Sequence, residues 1–185
     1  MIGWSVLGTL SPEPALARPD LLAAPVAAAL KALDPADAAR VGVAEIDPAL
    51  ADTAAFCAAY GAPTDGSANC VVVAGRRGEV VRYAACLVLA TTRADVNGLV
   101  RRRLDARKAS FAPMDDAVAL TGMEYGGITP LGLPDDWPLL VDAAVAAAPA
   151  VVVGSGLRSS KLALPGALLA ALAGVEVVEG LARPA

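Results

Sequence analysis

Thr121-Gly122-Met123-Glu124-Tyr125-Gly126-Gly127-Ile128-Thr129-Pro130-Leu131-Gly132-Leu133 places four glycines and a proline in thirteen residues of a chain otherwise rich in alanine, valine and leucine. Its backbone is therefore specified more closely than its side chains. Glycine reaches positive φ and carries no Cβ, so main-chain N–H groups can come close to a ligand. Successive N–H groups in such a turn form a concavity that binds anions or an oxyanion. The plainer reading is a tight turn between a helix ending at Thr121 and a following strand.

The sequence on either side of this loop reads as short alternating elements. Pro113-Met114-Asp115-Asp116 starts the helix that ends at Thr121-Gly122, and Ala109-Ser110-Phe111-Ala112 before it reads as a strand. Upstream, a helix opening at Ala94-Asp95-Val96-Asn97 puts Val96, Leu99, Val100 and Leu104 on one face. The other face carries Arg101, Arg102, Arg103 and Asp105, with Arg107 and Lys108 just beyond. Such a face is either a solvated surface with cations near a helix C-terminus or a ridge that contacts phosphates. The clearest antiparallel pair is Cys70-Val71-Val72-Val73 with Val80 to Leu89, joined by a turn expected at Gly75 to Gly78 and lying in the middle of a sheet. Asn69 stands at the entry to the first of these strands.

Nearer the N-terminus, Asp20 is a candidate N-cap for a helix running to Leu33. Val41 to Ile46 reads as a strand, and Asp52 or Thr53 caps a helix that stops at Gly61. Downstream, Trp137 to Asp142, Ala150 to Val153 and Lys161 to Leu164 read as strands. A helix from Pro165 to Leu172 and a strand from Val175 to Val178 close the domain. A hairpin and mixed elements without a regular βαβ repeat give an α+β fold with a mixed sheet. Residues 1–40 are expected to form an N-terminal extension with a helix, followed by one domain over residues 41–180.

The composition removes several function classes. The chain has 185 residues, 56% of them hydrophobic, yet no window holds about 18 strongly apolar residues, so no transmembrane helix is expected. Met1-Ile2-Gly3-Trp4-Ser5 lacks the cationic start of a secretory leader, and a cytoplasmic protein is expected. Cys57, Cys70 and Cys86 are an odd number without metal-ligand spacing and read as reduced core residues. There is no histidine, which excludes Ser-His-Asp and Cys-His catalysis and leaves no conventional zinc site. The net charge of −4 argues against general nucleic-acid affinity, including DNA, though not against a local basic patch.

Two further sites stay open on the residues alone. Gly154-Ser155-Gly156-Leu157-Arg158-Ser159 lacks the third glycine and the following helix of a dinucleotide loop, and Ser155 is not in a nucleophile elbow. Asp142, at the end of an apolar strand, either accepts from loop N–H groups or points into a cleft.

Four segments together resemble the YbaK/EbsC family, aminoacyl-tRNA deacylases related to the editing domain of bacterial prolyl-tRNA synthetases. They are Ala68 to Val73, Arg107 to Ala112, the loop with Gly126 and Gly127, and Asp142 followed by Val152-Val153-Gly154-Ser155-Gly156-Leu157-Arg158. The resemblance spans roughly residues 41 to 178 and implies a YbaK-like mixed, partly barrel-like β-sheet flanked by helices. It implies metal-independent, cofactor-free hydrolysis of the ester of mischarged tRNA, commonly alanine or cysteine on tRNA for proline, with the adjacent ribose hydroxyl assisting the water. The implied partners are the acceptor end of aminoacyl-tRNA and an aminoacyl-tRNA synthetase. Gly126 and Gly127 would supply N–H groups near the ester carbonyl. Asp142, Thr129, Ser155 and Lys108 would contact the substrate, and Arg101, Arg102, Arg103 and Arg107 the tRNA.

One position departs from the family. Its characteristic lysine is replaced here by Asn69, counted with the catalytic positions, which has an amide donor and acceptor but no charge. Three outcomes follow: an altered substrate, hydrolysis supported by another cation such as Lys108 or Lys161, or a non-catalytic module that binds a tRNA end, an amino acid or a protein partner.

Overall fold

The computed structural model describes residues 4–185; Met1 to Gly3, the start of the stretch read as lacking a secretory leader, lie outside the described residues. Period-two alternation along the strands sorts the apolar side chains into three layers around two sheets. Four strands, β1 (Glu13–Pro14), β2 (Gly42–Glu45), β8 (Val151–Gly154) and β9 (Ser160–Leu164), form one sheet in the order β1-β2-β9-β8. Five others, β3 (Ala68–Arg77), β4 (Val80–Leu89), β6 (Lys108–Phe111), β7 (Leu139–Asp142) and β10 (Val175–Val178), form the second in the order β10-β7-β4-β3-β6. A short pair, β5 (Thr92–Ala94) with β11 (Ala182–Pro184), closes the C-terminus. The β3–β4 hairpin lies within the second sheet, β7 runs parallel to β4 and β10 parallel to β7, and the fold is α+β with mixed sheets. The sheets do not close into a barrel; they meet at one isolated parallel bridge between Ser67 and Val152.

Val151, Val153, Leu162 and Leu164 of the first sheet face Ala85, Leu87, Leu139 and Val141 of the second, and all are buried. Helices α1 (Ala24–Ala32), α6 (Ala143–Ala147) and α7 (Gly166–Ala170) cover this core with Val26, Leu30, Val145, Leu168 and Leu169. Residues before position 41 thus share one core with those after it. The alternate side chains Val152 and Ala163 pack outward against Phe56 and Cys57 of α3 (Thr53–Tyr60). On the far face of the second sheet, Val73, Cys86 and Leu140 pack under Val96, Val100 and Leu104. Each fully buried aliphatic side chain contributes roughly 1.5–3 kcal/mol relative to exposure.

Local chemistry explains most boundaries. Asp52 caps α3 by accepting from the N–H groups of Ala54 and Ala55, and Gly61 ends it at φ 67°. Four boundaries differ from those expected. Asp20 caps no helix: its carboxylate is held by Arg18, and α1 begins at Ala24 with Pro25 in its first turn. The hairpin turn falls at Gly78-Glu79, and β3 runs on through Gly75 to Arg77. Gly75 is required by packing rather than turning, because a Cβ there would sit 2.9 Å from that of Ala106. The helix after Asp95 opens as a π-turn over Val96–Val100 and only then becomes α4 (Arg101–Arg103), with the Asp95 carboxylate accepting from Gly98 and Leu99. Finally, β7 starts at Leu139, and α6 follows it directly. Helices α2 (Pro35–Ala38) and α5 (Met114–Thr121) complete the set. Among the described residues no helix is long and apolar enough to cross a membrane.

Candidate functional site

A cavity of about 560 Å³ opens where the start of β3, the N-terminus of α3, the edge strand β6 and the Gly-Gly loop converge. That volume lies in the usual range for small-ligand sites. Its walls are mostly small and apolar, from Ala68, Cys70, Val71, Val72, Ala112 and Ile128, with polar groups from Asp52, Thr53, Asn69, Tyr125 and Lys161. Gly126 forms part of the rim.

The loop is fixed from below by a second glycine-rich turn. Helix α5 stops at Gly122 with φ 67°, and the Thr121 hydroxyl accepts from Met123 N–H. The Glu124 N–H donates to Gly156 O at 2.9 Å, and Gly156 N–H donates back to Gly127 O at 2.7 Å. Contact is too close for side chains: a Cβ on Gly127 would lie 2.6 Å from the Leu157 carbonyl, and one on Gly154 2.3 Å from the Gly127 oxygen. Arg158 fastens the outer side, its guanidinium donating to Tyr125 O at 3.1 Å and Pro48 O at 3.0 Å, while Glu124 accepts from its backbone N–H. The two glycines consequently differ. Gly127 is buried and its N–H is spent on Glu124 O, whereas Gly126 is exposed at φ 90° and its N–H has no acceptor among the described residues.

The same cavity holds a cation. Lys161 is 6% exposed, its Nζ donates to Ala51 O at 2.8 Å, and it lies 5.5 Å from the Phe56 ring centre. Burial pushes its pKa below the ordinary value, an effect opposed by the nearby Asp52 carboxylate. An ammonium has three donors, so two remain for a ligand. Beside it, Asn69 Oδ1 accepts from the Thr53 hydroxyl at 2.6 Å, which leaves the amide hydrogens free to donate.

Of the residues singled out in the sequence, Asn69 and Gly126 reach the cavity wall, with Lys161 as its cation; Lys108 lines a separate groove on the same strand system. Asp142 caps α6 by accepting from Ala144 at 3.0 Å, and its second oxygen accepts from Ala182 N–H at 3.0 Å. Ser155 is fully buried, its hydroxyl bonded to that of Ser160 at the start of β9, and Thr129 is fully buried with no partner for its Oγ1 among the described residues. Arg101, Arg107 and Lys108 share the second groove; Arg102 is exposed outside it, and Arg103 is drawn away by an ion pair with Glu176. Sequence reasoning missed Thr53, Tyr125 and the clamping role of Arg158. A cap residue followed by an apolar helix signalled α3, but nothing in the sequence signalled that its first turn faces Asn69. Among the described residues, no cluster of three or more acidic or cysteine side chains is placed to hold a metal ion.

Among curated proteins none matches the chain. Solved structures do. A candidate trans-editing enzyme for prolyl tRNA synthetase superposes with a TM-score of 0.68 at 22% identity, covering 85% of this chain and 97% of that one. A scaffold protein from computational epitope backbone grafting gives a TM-score of 0.68 at 24% identity, over 85% of this chain and 95% of that one. A hypothetical protein gives 0.62 at 22% identity, over 72% and 85%. At these identities the likeness is one of fold. The family model described as the aminoacyl-tRNA editing domain matches residues 47–172, from the turn before α3 to the end of α7. The chain belongs to the aminoacyl-tRNA editing domain family.

Proposed function

We propose that this protein is a trans-editing deacylase that hydrolyses the ester of mischarged aminoacyl-tRNA in the cytoplasm, with alanyl- or cysteinyl-tRNA for proline as the substrate type. What supports the reading is one juxtaposition: Gly126, whose N–H is unengaged, and Lys161, whose ammonium is buried, line the same cavity. Water adds to the ester carbonyl carbon, and the bond to the ribose oxygen breaks. Of the water's two protons one goes to the ribose oxygen and the other to solvent, and the amino acid is released as its carboxylate. The Gly126 N–H donates to the carbonyl oxygen as it gains negative charge; removing one such donor typically costs about 100- to 1,000-fold in kcat. Lys161 supplies the positive charge that Asn69 lacks, and Asn69, held by Thr53, donates a neutral hydrogen bond. The small apolar lining suits a short side chain on the amino acid. A synthetase that mischarges tRNA supplies the substrate.

A second reading is favoured by Asn69 itself. Its oxygen is already satisfied by Thr53, and a neutral amide bonds an anionic group about half as strongly as a charged donor. In that reading the domain binds an aminoacyl-tRNA end without cleaving it.

Release of labelled amino acid from a panel of mischarged tRNAs separates the two. Wild type is expected to release it, Lys161→Met and Gly126→Val to lose at least 100-fold, and Asn69→Lys added to Lys161→Met to restore part of the rate. Full activity in Lys161→Met would remove that lysine from the mechanism. Binding without release by wild type, with release gained by Asn69→Lys, would establish the non-catalytic module.

A further inference from the structure

The second groove lies on the same two strands as the cavity. Val72 of β3 and Phe111 of β6 line the cavity, while Ala74 and Arg76 of β3 and Lys108 to Ser110 of β6 line a groove of about 540 Å³. Arg101, Arg107 and Asn97 complete it. The cations around this groove divide into two sets. Arg77 and Arg82 are paired with Asp105, and Arg103 with Glu176. Arg76, Arg101, Arg107 and Lys108 have no carboxylate partner among the described residues. In a chain of net charge −4, four unpaired cations in one groove are a local field that its overall charge does not supply.

Two exposed aromatic rings border the cavity. Phe111 is 62% exposed and Tyr125 is 55% exposed, and both line the cavity. Exposed rings beside a basic track are the arrangement that stacks unpaired bases, which every base can use through its π-face. Lys108 and Phe111 are the two ends of one extended edge strand, their Cα atoms about 10 Å apart at the usual rise and their side chains on opposite faces, so a chain following both runs along the strand's open edge. That distance spans about three stacked nucleotides.

Resting on the editing assignment above, we infer that β6 is the RNA track: unpaired 3′-terminal bases stack on Phe111 and Tyr125, and the phosphates behind them lie in the Arg76, Arg101, Arg107 and Lys108 groove. The chemistry read is single-stranded phosphate backbone plus base faces, with no base-edge contacts, so the track accepts any sequence. The Arg103 position is outside it because Glu176 holds that guanidinium.

The test uses two substrates and one binding titration. The substrates are aminoacyl-tRNA and the same amino acid esterified to adenosine alone; the titration is uncharged tRNA across a salt series. In Arg107→Gln/Lys108→Gln, kcat/KM for aminoacyl-tRNA is expected to fall at least tenfold more than for the adenosine ester. The slope of log affinity against log salt is expected to shallow by roughly 0.7–0.9 per cation removed. Phe111→Ala and Tyr125→Ala are each expected to weaken tRNA binding roughly tenfold with the salt slope kept. Lys31→Gln/Arg93→Gln, an equal charge change elsewhere, is the control and is expected to match wild type. Equal losses in the control and groove variants, or groove variants with wild-type affinity and slope, would overturn the track. Hydrolysis of neither substrate by wild type would instead count against the catalytic reading, and the uncharged-tRNA titration would still decide the track.

Discussion

The Gly127 carbonyl accepts a 2.7 Å hydrogen bond from the Gly156 N–H, which locks the Gly-Gly loop onto the turn that follows β8. Neither turn leaves room for a side chain at the crossing. Gly127→Ala would press a Cβ to 2.6 Å from the Leu157 backbone and is expected to cost about 3 kcal/mol of stability. Gly126→Ala meets a side-chain end instead, the Arg158 guanidinium that donates to Tyr125 O, and carries a φ penalty of roughly 1–2 kcal/mol. Urea unfolding of the two variants checks this order; equal stabilities would mean the crossing relaxes freely.

Burial holds Lys161 below its ordinary pKa of 10.5. Between its folded value and 10.5 the unfolded chain holds more protons than the folded one, so the stability due to this group rises with pH across that window. Below the folded value the cost of burying the charge is present in full. The stability of wild type minus that of Lys161→Met is therefore expected to increase from neutral pH toward 10.5 in denaturant titrations. A difference independent of pH would show that the ammonium is solvated in the folded protein.

Asp142 accepts from both Ala144 and Ala182 and is 8% exposed. Asp142→Ala removes a helix cap and unties β11 from the end of β7, for an expected loss of about 2–3 kcal/mol. Thermal melting measures the loss, and limited proteolysis is expected to trim the C-terminus of the variant first. An unchanged melting temperature would leave Asp142 without this tethering role.

Burial pushes the Cys86 thiol up to about 12 and raises that of Cys70 as well. At pH 8 the Cys86 thiolate fraction is about one part in ten thousand, and the thiolate is the reactive form. A thiol reagent is expected to leave Cys86 unmodified in the native protein and to label it within minutes in denaturant. Prompt native labelling, read by mass spectrometry of peptides, would contradict the burial of β4.

Much of the architecture was legible because it is local. Continuous β-rich apolar runs gave β3, β4, β8 and β9. The Asp52 cap and the glycine stops at Gly61 and Gly122 gave α3 and α5, since capping bonds and positive φ need only neighbouring residues. Errors had two sources, a local competitor at Asp20 and distant packing at Gly75. Arg18 took the Asp20 carboxylate that would have capped a helix, and Leu104 and Ala106 made Gly75 a packing position inside a strand.

The sequence by itself determined the family's motifs, the absence of histidine chemistry and the glycine loop whose backbone had to be special. Tertiary structure decided which groups that loop meets. Lys161, on a strand of the other sheet, reaches the cavity that Asn69 lines, and Gly126 stays exposed while Gly127 is buried against the Leu157 backbone with its N–H engaged by Glu124 O. Likewise, five of the cations in the Arg101 to Lys108 run look alike in sequence, yet only the sheet and Glu176 separate those that line the β6 groove from Arg103. Spacing along a chain fixes which face a residue shares with its near neighbours; the groups brought opposite by long-range packing set its charge environment and its free donors.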